Sequence, residues 1–184
     1  MPQPTLLLVT GLPGSGKTRL ASAAADDLGA PVVGHDWVMA ALRGRPEVWE
    51  AMQSLDHLAF RTVGWSIMWN VATAQLREDR SVILDGVARA PEVAATRDIA
   101  YAAGSRSIVV LTTIDDAKLH EQRVAGRFRA IPGWPELTWE DVQRTRATWR
   151  PPDDVDLVLS ADRAFESNLV ELQAAIGSAS TTNK

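Results

Sequence analysis

Gly11-Leu12-Pro13-Gly14-Ser15-Gly16-Lys17-Thr18 decides the fold, read with the apolar run Leu6-Leu7-Leu8-Val9 before it and the alanine-rich stretch after it. The octapeptide matches G-x-x-x-x-G-K-[ST] in full, and a buried strand before it and a helix after it are the context that pattern requires. Glycines let the backbone wrap tightly enough for successive N–H groups to point inward at phosphate oxygens. The following helix adds the positive end of its dipole. The pattern therefore predicts a phosphate loop made by Gly11, Pro13, Gly14, Ser15, Gly16, Lys17 and Thr18. Lys17 is expected to reach the β- and γ-phosphates of ATP, and the Thr18 hydroxyl to ligate Mg²⁺.

Working outward, short apolar runs alternate with longer amphipathic stretches. Strands are expected over residues 5–10, 31–34, 81–84, 107–112 and 156–159. Helices are expected over 18–28, 91–103, 139–149 and 165–176. Asp36 reads as the N-cap of a helix reaching residue 42. Residues 47–79 read as one long helical region or two helices, with Leu58, Thr62, Trp65, Trp69, Ala72 and Leu76 on one face. An arginine-rich helix is expected over 115–129. Strands that are apolar throughout are buried on both faces. The fold class is therefore α/β: a doubly wound, five-stranded parallel sheet with helices on both faces. One domain is expected over residues 1–176, followed by a small, polar, disordered tail over 177–184.

Composition narrows the function classes. The 184 residues suffice for one core. The net charge of −4 disfavours a protein that wraps duplex DNA. Cys is absent, which excludes disulfides, thiolate zinc sites and a cysteine nucleophile. The run Leu6–Val9 is too short for a signal peptide or a membrane span, so a soluble, cytoplasmic protein with no membrane partner is expected.

The loop sequence resembles that of small P-loop kinases of the AAA type, among them polynucleotide 5′-kinases, zeta toxins, chloramphenicol phosphotransferase and gluconate kinase, where G-x-P-G-S-G-K-[ST] is common. Further features are similar to that group. Val32-Val33-Gly34-His35-Asp36 supplies an aspartate after the second strand, and Ser81-Val82-Ile83-Leu84-Asp85-Gly86 one after the third. Arg123, Arg127 and Arg129 follow the fourth strand in a lid spanning about 115–150. Trp149-Arg150-Pro151-Pro152 matches a late aromatic-x-Pro-Pro segment. The resemblance implies a P-loop NTPase fold and transfer of the γ-phosphate of ATP to a hydroxyl.

It also assigns roles, each with a plainer alternative. Asp36, at the carboxyl edge of the sheet, is the candidate general base; as an N-cap it would serve structure alone. His35 would share the base role or, as the preferred reading, line the pocket beside it. Asp85 would hold a Mg²⁺-bound water or the acceptor, or simply close an Asp-Gly turn. Arg89 would bind polar groups of the acceptor. Arg123 and Arg127 are expected to share a helix face and meet the charge spread over the transferred phosphate; the alternative is a solvated basic face. Trp37 is the tryptophan singled out for the acceptor pocket, while Trp65 and Trp69 suit core packing. Neither an N-K-x-D motif nor paired acids at a strand end are present, which argues against a regulatory GTPase and a hydrolytic motor. The expected acceptor is a small hydroxylated molecule such as an antibiotic, nucleoside or sugar-like alcohol. A nucleic-acid 5′-hydroxyl or a nucleotide sugar ranks second, and a non-catalytic nucleotide-binding regulator third.

Overall fold

The computed structural model describes residues 3–177. Among them, five parallel strands stand in the order β2-β3-β1-β4-β5: β1 (Thr5–Gly11), β2 (Val32–Gly34), β3 (Val82–Asp85), β4 (Arg106–Thr113) and β5 (Leu157–Ser160). The helices are α1 (Lys17–Leu28), α2 (His35–Arg43), α3 (Pro46–Gln53), α4 (His57–Arg77), α5 (Ala90–Ala102), α6 (Ala117–Ala125), α7 (Trp139–Thr148) and α8 (Phe165–Gly177). The fold is thus the expected α/β P-loop architecture. All of the expected polar tail except Gly177 lies outside the described residues.

Central strand β1 shows why an unbroken apolar run is needed. Leu6, Leu7, Leu8 and Val9 are fully buried, yet they point alternately to opposite faces. Leu6 and Leu8 pack with Trp65, Met68 and Ala72 of α4 and Val93 of α5. Leu7 and Val9 pack with Leu20, Ala21 and Ala24 of α1 and Leu172 of α8. Each fully buried leucine contributes about 2 kcal/mol of transfer free energy, so this one strand ties both layers together.

Sheet register places the chemistry. Val9 stands level with Asp85, and Asp85 with Gly34. The loops leaving β1, β2 and β3 therefore open at one carboxyl edge, where strand order reverses about β1 and ligands bind in open α/β sheets.

Three local expectations are corrected. Asp36 is not an N-cap: α2 starts two residues earlier than that role requires, after Gly34 in extended conformation, and no side chain caps it. Asp36 lies in the first turn and receives a hydrogen bond from Arg129 instead. The arginine-rich helix α6 is shorter than expected. It ends at Ala125 against Gly126, a weak helix former, so Arg127 and Arg129 lie in the following coil. Arg123 and Arg127 therefore share no helix face. The long helical region is two helices, α3 and α4, separated at Ser54 to Asp56, where the Asp56 carboxylate caps α4. At the start of α4 the expected apolar face fails. Leu58 and Thr62 are exposed, and the buried face runs through Gly64, Trp65, Met68, Ala72 and Leu76. Gly64 is required there, because a Cβ would press on His35 Nε2 at 2.7 Å and Met39 Sδ at 2.8 Å.

Candidate active site

The phosphate loop is built by glycines in conformations closed to other residues. Gly11, Gly14 and Gly16 have φ of 142°, 86° and 88°. A side chain on Gly11 would also run into the carbonyl and hydroxyl of Thr112 on β4. The loop is closed by its own bonds: Ser15 N donates to Leu12 O at 3.2 Å and Ser15 Oγ to the same oxygen at 2.7 Å. Thr112 Oγ1 lies 2.5 Å from Ser15 Oγ and 3.1 Å from Thr10 O; with the Ser15 proton on Leu12 O, the single Thr112 proton goes to Ser15 Oγ. The loop is thereby bolted to β4.

A second brace comes from His120, fully buried on α6. Arg146 Nη2 lies 2.7 Å from His120 Nδ1, and a guanidinium can only donate, so Nδ1 accepts. His120 Nε2 therefore carries the proton and donates it to Pro13 O at 2.6 Å. Burial, followed by the neighbouring cations, holds this imidazole below its ordinary pKa, consistent with the neutral form that the bonding requires.

Lys17 is nearly buried, with its ammonium donating to Leu12 O at 2.9 Å. Burial lowers its pKa to about 8. Asp85 and Asp36 oppose the fall, while Arg127 and Arg129 add to it. Thr18 Oγ1 donates to Asp85 Oδ2 at 2.7 Å. This pair offers two hard oxygens beside the loop. No cluster of three or more His, Cys, Asp or Glu side chains suited to a metal occurs among the described residues. Such sparse ligation fits Mg²⁺, which takes one or two protein oxygens and completes its shell with water and phosphate.

Two cavities meet at this point. The smaller, about 220 Å³, is lined by Gly14, Gly16, Lys17, Thr18, Arg19, Arg123 and Arg127. The larger, about 860 Å³, extends past His35, Asp36, Asp85 and Arg89 to an aromatic wall that includes Phe60, Trp65 and Trp134. Lys17, Thr18 and Arg127 line both. The first has the loop's backbone for phosphates, the second has volume for a small molecule, and the shared residues lie where one would hand a group to the other.

The arginines divide between these spaces. Arg123 Nη2 donates to Ala161 O at 2.9 Å and stays on the smaller side. The Arg127 guanidinium makes no hydrogen bond among the described residues; only its backbone N–H donates, to Val124 O at 3.2 Å. Its burial, and then the nearby Arg129, lower its pKa. Arg129 lies with Asp36 in an ion pair, and Glu136 Oε1 accepts from the backbone N–H of Arg129 and Ala130 at 2.9 and 3.2 Å. Trp37 lines the large cavity but is more exposed than buried, at 57%. Trp65 is core, tilted against His35 at 5.5 Å. Arg150 bonds only to nearby backbone.

His120, Thr112 and Arg61 carry no sequence signal, and Arg146 stands in the sequence only as a less constrained arginine of the lid region. None belongs to a local pattern, and each acts on a segment distant in the chain. The late Trp149 signal has a specific use: its Nε1 donates to Ala88 O at 2.8 Å and fixes the loop that carries Arg89.

A family model described as AAA domain matches residues 6–152, from β1 through the segment after α7. No curated protein is a detectable match by sequence. Several solved structures share the fold. A sugar kinase from Janibacter sp. HTCC2649 is 18% identical with TM-score 0.67, covering 99% of this chain and 100% of that one. The Mycobacterium tuberculosis APS kinase CysC, in complex with AMPPNP and APS, is 21% identical with TM-score 0.65, covering 96% and 99%. Chaetomium thermophilum Kti12, in complex with ADP-AlF3, is 18% identical with TM-score 0.71, covering 95% and 98%. At these identities the likeness is one of fold.

Proposed function

The chain belongs to the AAA domain family, and on that premise we propose that it is an ATP-dependent phosphotransferase acting on a hydroxyl of a small molecule. The observation that carries the reading is the pair of cavities sharing Lys17, Thr18 and Arg127. The kinase fold of the neighbouring structures, and the nucleotides bound to two of them, support it.

The acceptor occupies the large cavity with its hydroxyl toward Asp36. Asp36 orients that hydroxyl and takes its proton as the oxygen forms a bond to the γ-phosphorus and the bond to the ADP oxygen breaks. Lys17 neutralises the β- and γ-phosphates. Arg127, with Arg123 on the nucleotide side, meets the charge that spreads over the equatorial oxygens. Thr18 and Asp85 would hold Mg²⁺, which supplies further charge neutralisation on the phosphates. Trp37 and Arg89 contact the acceptor. Coil 126–138, between α6 and α7, excludes water when it closes.

The test is transfer from γ-labelled ATP to a panel of nucleosides, sugars, hydroxylated antibiotics and a 5′-hydroxyl oligonucleotide. Label should appear on a small acceptor. Lys17→Ala should abolish nucleotide binding, and Asp36→Asn should keep binding while losing at least 100-fold in transfer, on the order expected for a lost general base. Full transfer by Asp36→Asn removes that residue from the base role. A second reading, a nucleotide-binding regulator, draws on the Asp36–Arg129 ion pair, which occupies the base. It requires tight ATP binding with no labelled acceptor and indifference to Asp36→Asn.

A further inference from the structure

Beyond the phosphate side, the large cavity carries a second cationic feature, of which the transfer chemistry uses Arg89 only as an acceptor contact of unspecified kind and Arg61 not at all. Arg61 at the start of α4 and Arg89 before α5 both line it. Arg61 is held in place: Nη2 donates to Val87 O at 3.2 Å and faces Glu92 Oε1 at 3.2 Å. Its Nη1 is buried without a hydrogen-bond partner, as are Arg89 Nε and His35 Nε2 in the same region. The Arg89 guanidinium donates to no acceptor among the described residues.

The backbone beneath Arg89 is fixed from three sides. Thr10 Oγ1 accepts from Ala88 N at 2.8 Å, Trp149 Nε1 donates to Ala88 O at 2.8 Å, and Arg89 N donates to Glu92 Oε2 at 2.8 Å. A loop held this firmly cannot swing Arg89 to another acceptor, and buried, unpaired donors beside a second guanidinium are destabilising on both counts. An anion removes both penalties.

We propose that Arg61 and Arg89 form a carboxylate-binding subsite, so that the acceptor is a hydroxylated carboxylic acid with an apolar body. This rests on the phosphotransferase reading of the same cavity. The charge count selects a carboxylate over a phosphate monoester: Arg61, Arg89 and Glu92 together carry one net positive charge, which one carboxylate neutralises. Planar guanidinium groups match a carboxylate in geometry as well. Met39, Phe60, Trp65, Ile131 and Trp134 line the space beside it and favour a hydrocarbon or ring body over a polyol. Arg89 follows Asp85 by four residues, so it lies no more than about 14 Å along the chain from the Thr18–Asp85 pair. The hydroxyl and the carboxylate must therefore be separated by the length of a small molecule.

The experiment uses the full chain saturated with a non-hydrolysable ATP analogue. Binding is measured by calorimetry for hydroxy acids with aromatic or alicyclic bodies, each paired with its primary amide and its phosphate-ester counterpart; transfer from γ-labelled ATP is measured in parallel. At least one acid should bind, with its amide weaker by tenfold or more. Arg89→Gln should erase that acid–amide difference while leaving analogue affinity intact, which also reports that the variant is folded. Arg89→Lys should restore part of the difference. The inference is overturned if no acid binds while the analogue does, if amides or phosphate esters bind as well as acids, or if Arg89→Gln keeps the discrimination. An acid that binds but never receives label overturns the phosphotransferase reading and leaves the carboxylate subsite standing. Label on a neutral alcohol does the reverse.

Discussion

Lys17 carries the sharpest consequence at the scale of a single residue. Its ammonium is buried in the ligand-free protein, and its pKa falls from 10.5 to about 8. That fall corresponds to a cost on the order of 3 kcal/mol for keeping the charge at neutral pH. Because the folded value is depressed, the unfolded chain holds the proton more tightly between pH 8 and 10.5. The free protein should therefore gain stability from this residue as pH rises through that window. Triphosphate oxyanions reverse the balance by favouring the charged form. Above pH 8, nucleotide binding should take up a proton, and affinity should fall by up to tenfold per pH unit. Calorimetry in buffers of different ionisation enthalpy checks this; an uptake of zero at pH 9 would mean that Lys17 is already charged there. Lys17→Met should raise the melting temperature of the free protein and abolish its stabilisation by nucleotide.

At the scale of elements, the side chain of His120 hydrogen-bonds α7 to the phosphate loop across α6. His120 receives from Arg146 of α7 and donates to Pro13 O, and its ring packs edge-on to Trp139 at 5.1 Å. Replacing it with alanine removes a buried donor for Pro13 and an acceptor for Arg146, at a cost of about 2–4 kcal/mol. His120→Ala should lower the melting temperature by roughly 5–15 °C and weaken nucleotide binding, although it touches no phosphate. His120→Gln, with an amide that can donate and accept, should recover much of both. Thermal melts with and without nucleotide report it. His120 and His35 have folded pKa values below 6.5, each chiefly through burial. The unfolded chain takes up protons first as pH drops below 6.5, so stability should decline there, and His120→Gln should make that decline shallower.

Legibility differed among elements for physical reasons. The phosphate loop was readable because its glycines, its lysine and its flanking strand and helix are adjacent in sequence. The strands were readable because β1 and β3 are buried on both faces. The end of α6 was misplaced because Arg127 and Arg129 continue the basic pattern past Gly126, and their destination across the cleft leaves no local mark. Periodicity alone puts Leu58 on the packed face of α4, but the helix begins beyond the edge of the core and leaves it mostly exposed. Residue preference alone points to a cap at Asp36, and that preference loses to a distant guanidinium. His120, Thr112 and Arg61 were invisible for one common reason: each side chain's partner lies far away along the chain, so no spacing rule reaches it.

Across the whole molecule, the ligand-free arrangement sets Asp36, on the sheet side of the cleft, against Arg129, in the coil between α6 and α7. While they are paired, the proposed base is occupied. Water is present at overwhelming concentration and is the permanent competitor of any acceptor hydroxyl. A molecule of water entering the cleft can neither displace the guanidinium nor replace its charge. A bulky acceptor filling the large cavity can push the two apart. Under the proposed function the ion pair would act as an interlock, setting an order of events in which the triphosphate stays intact until its proper recipient arrives. Arg129→Met should release it: ATP breakdown without acceptor should rise several-fold while transfer to the acceptor stays the same or falls. Equal acceptor-free hydrolysis in the two proteins would rule the interlock out. A rise would place the chain's fidelity toward water in a contact that exists only while the acceptor is absent.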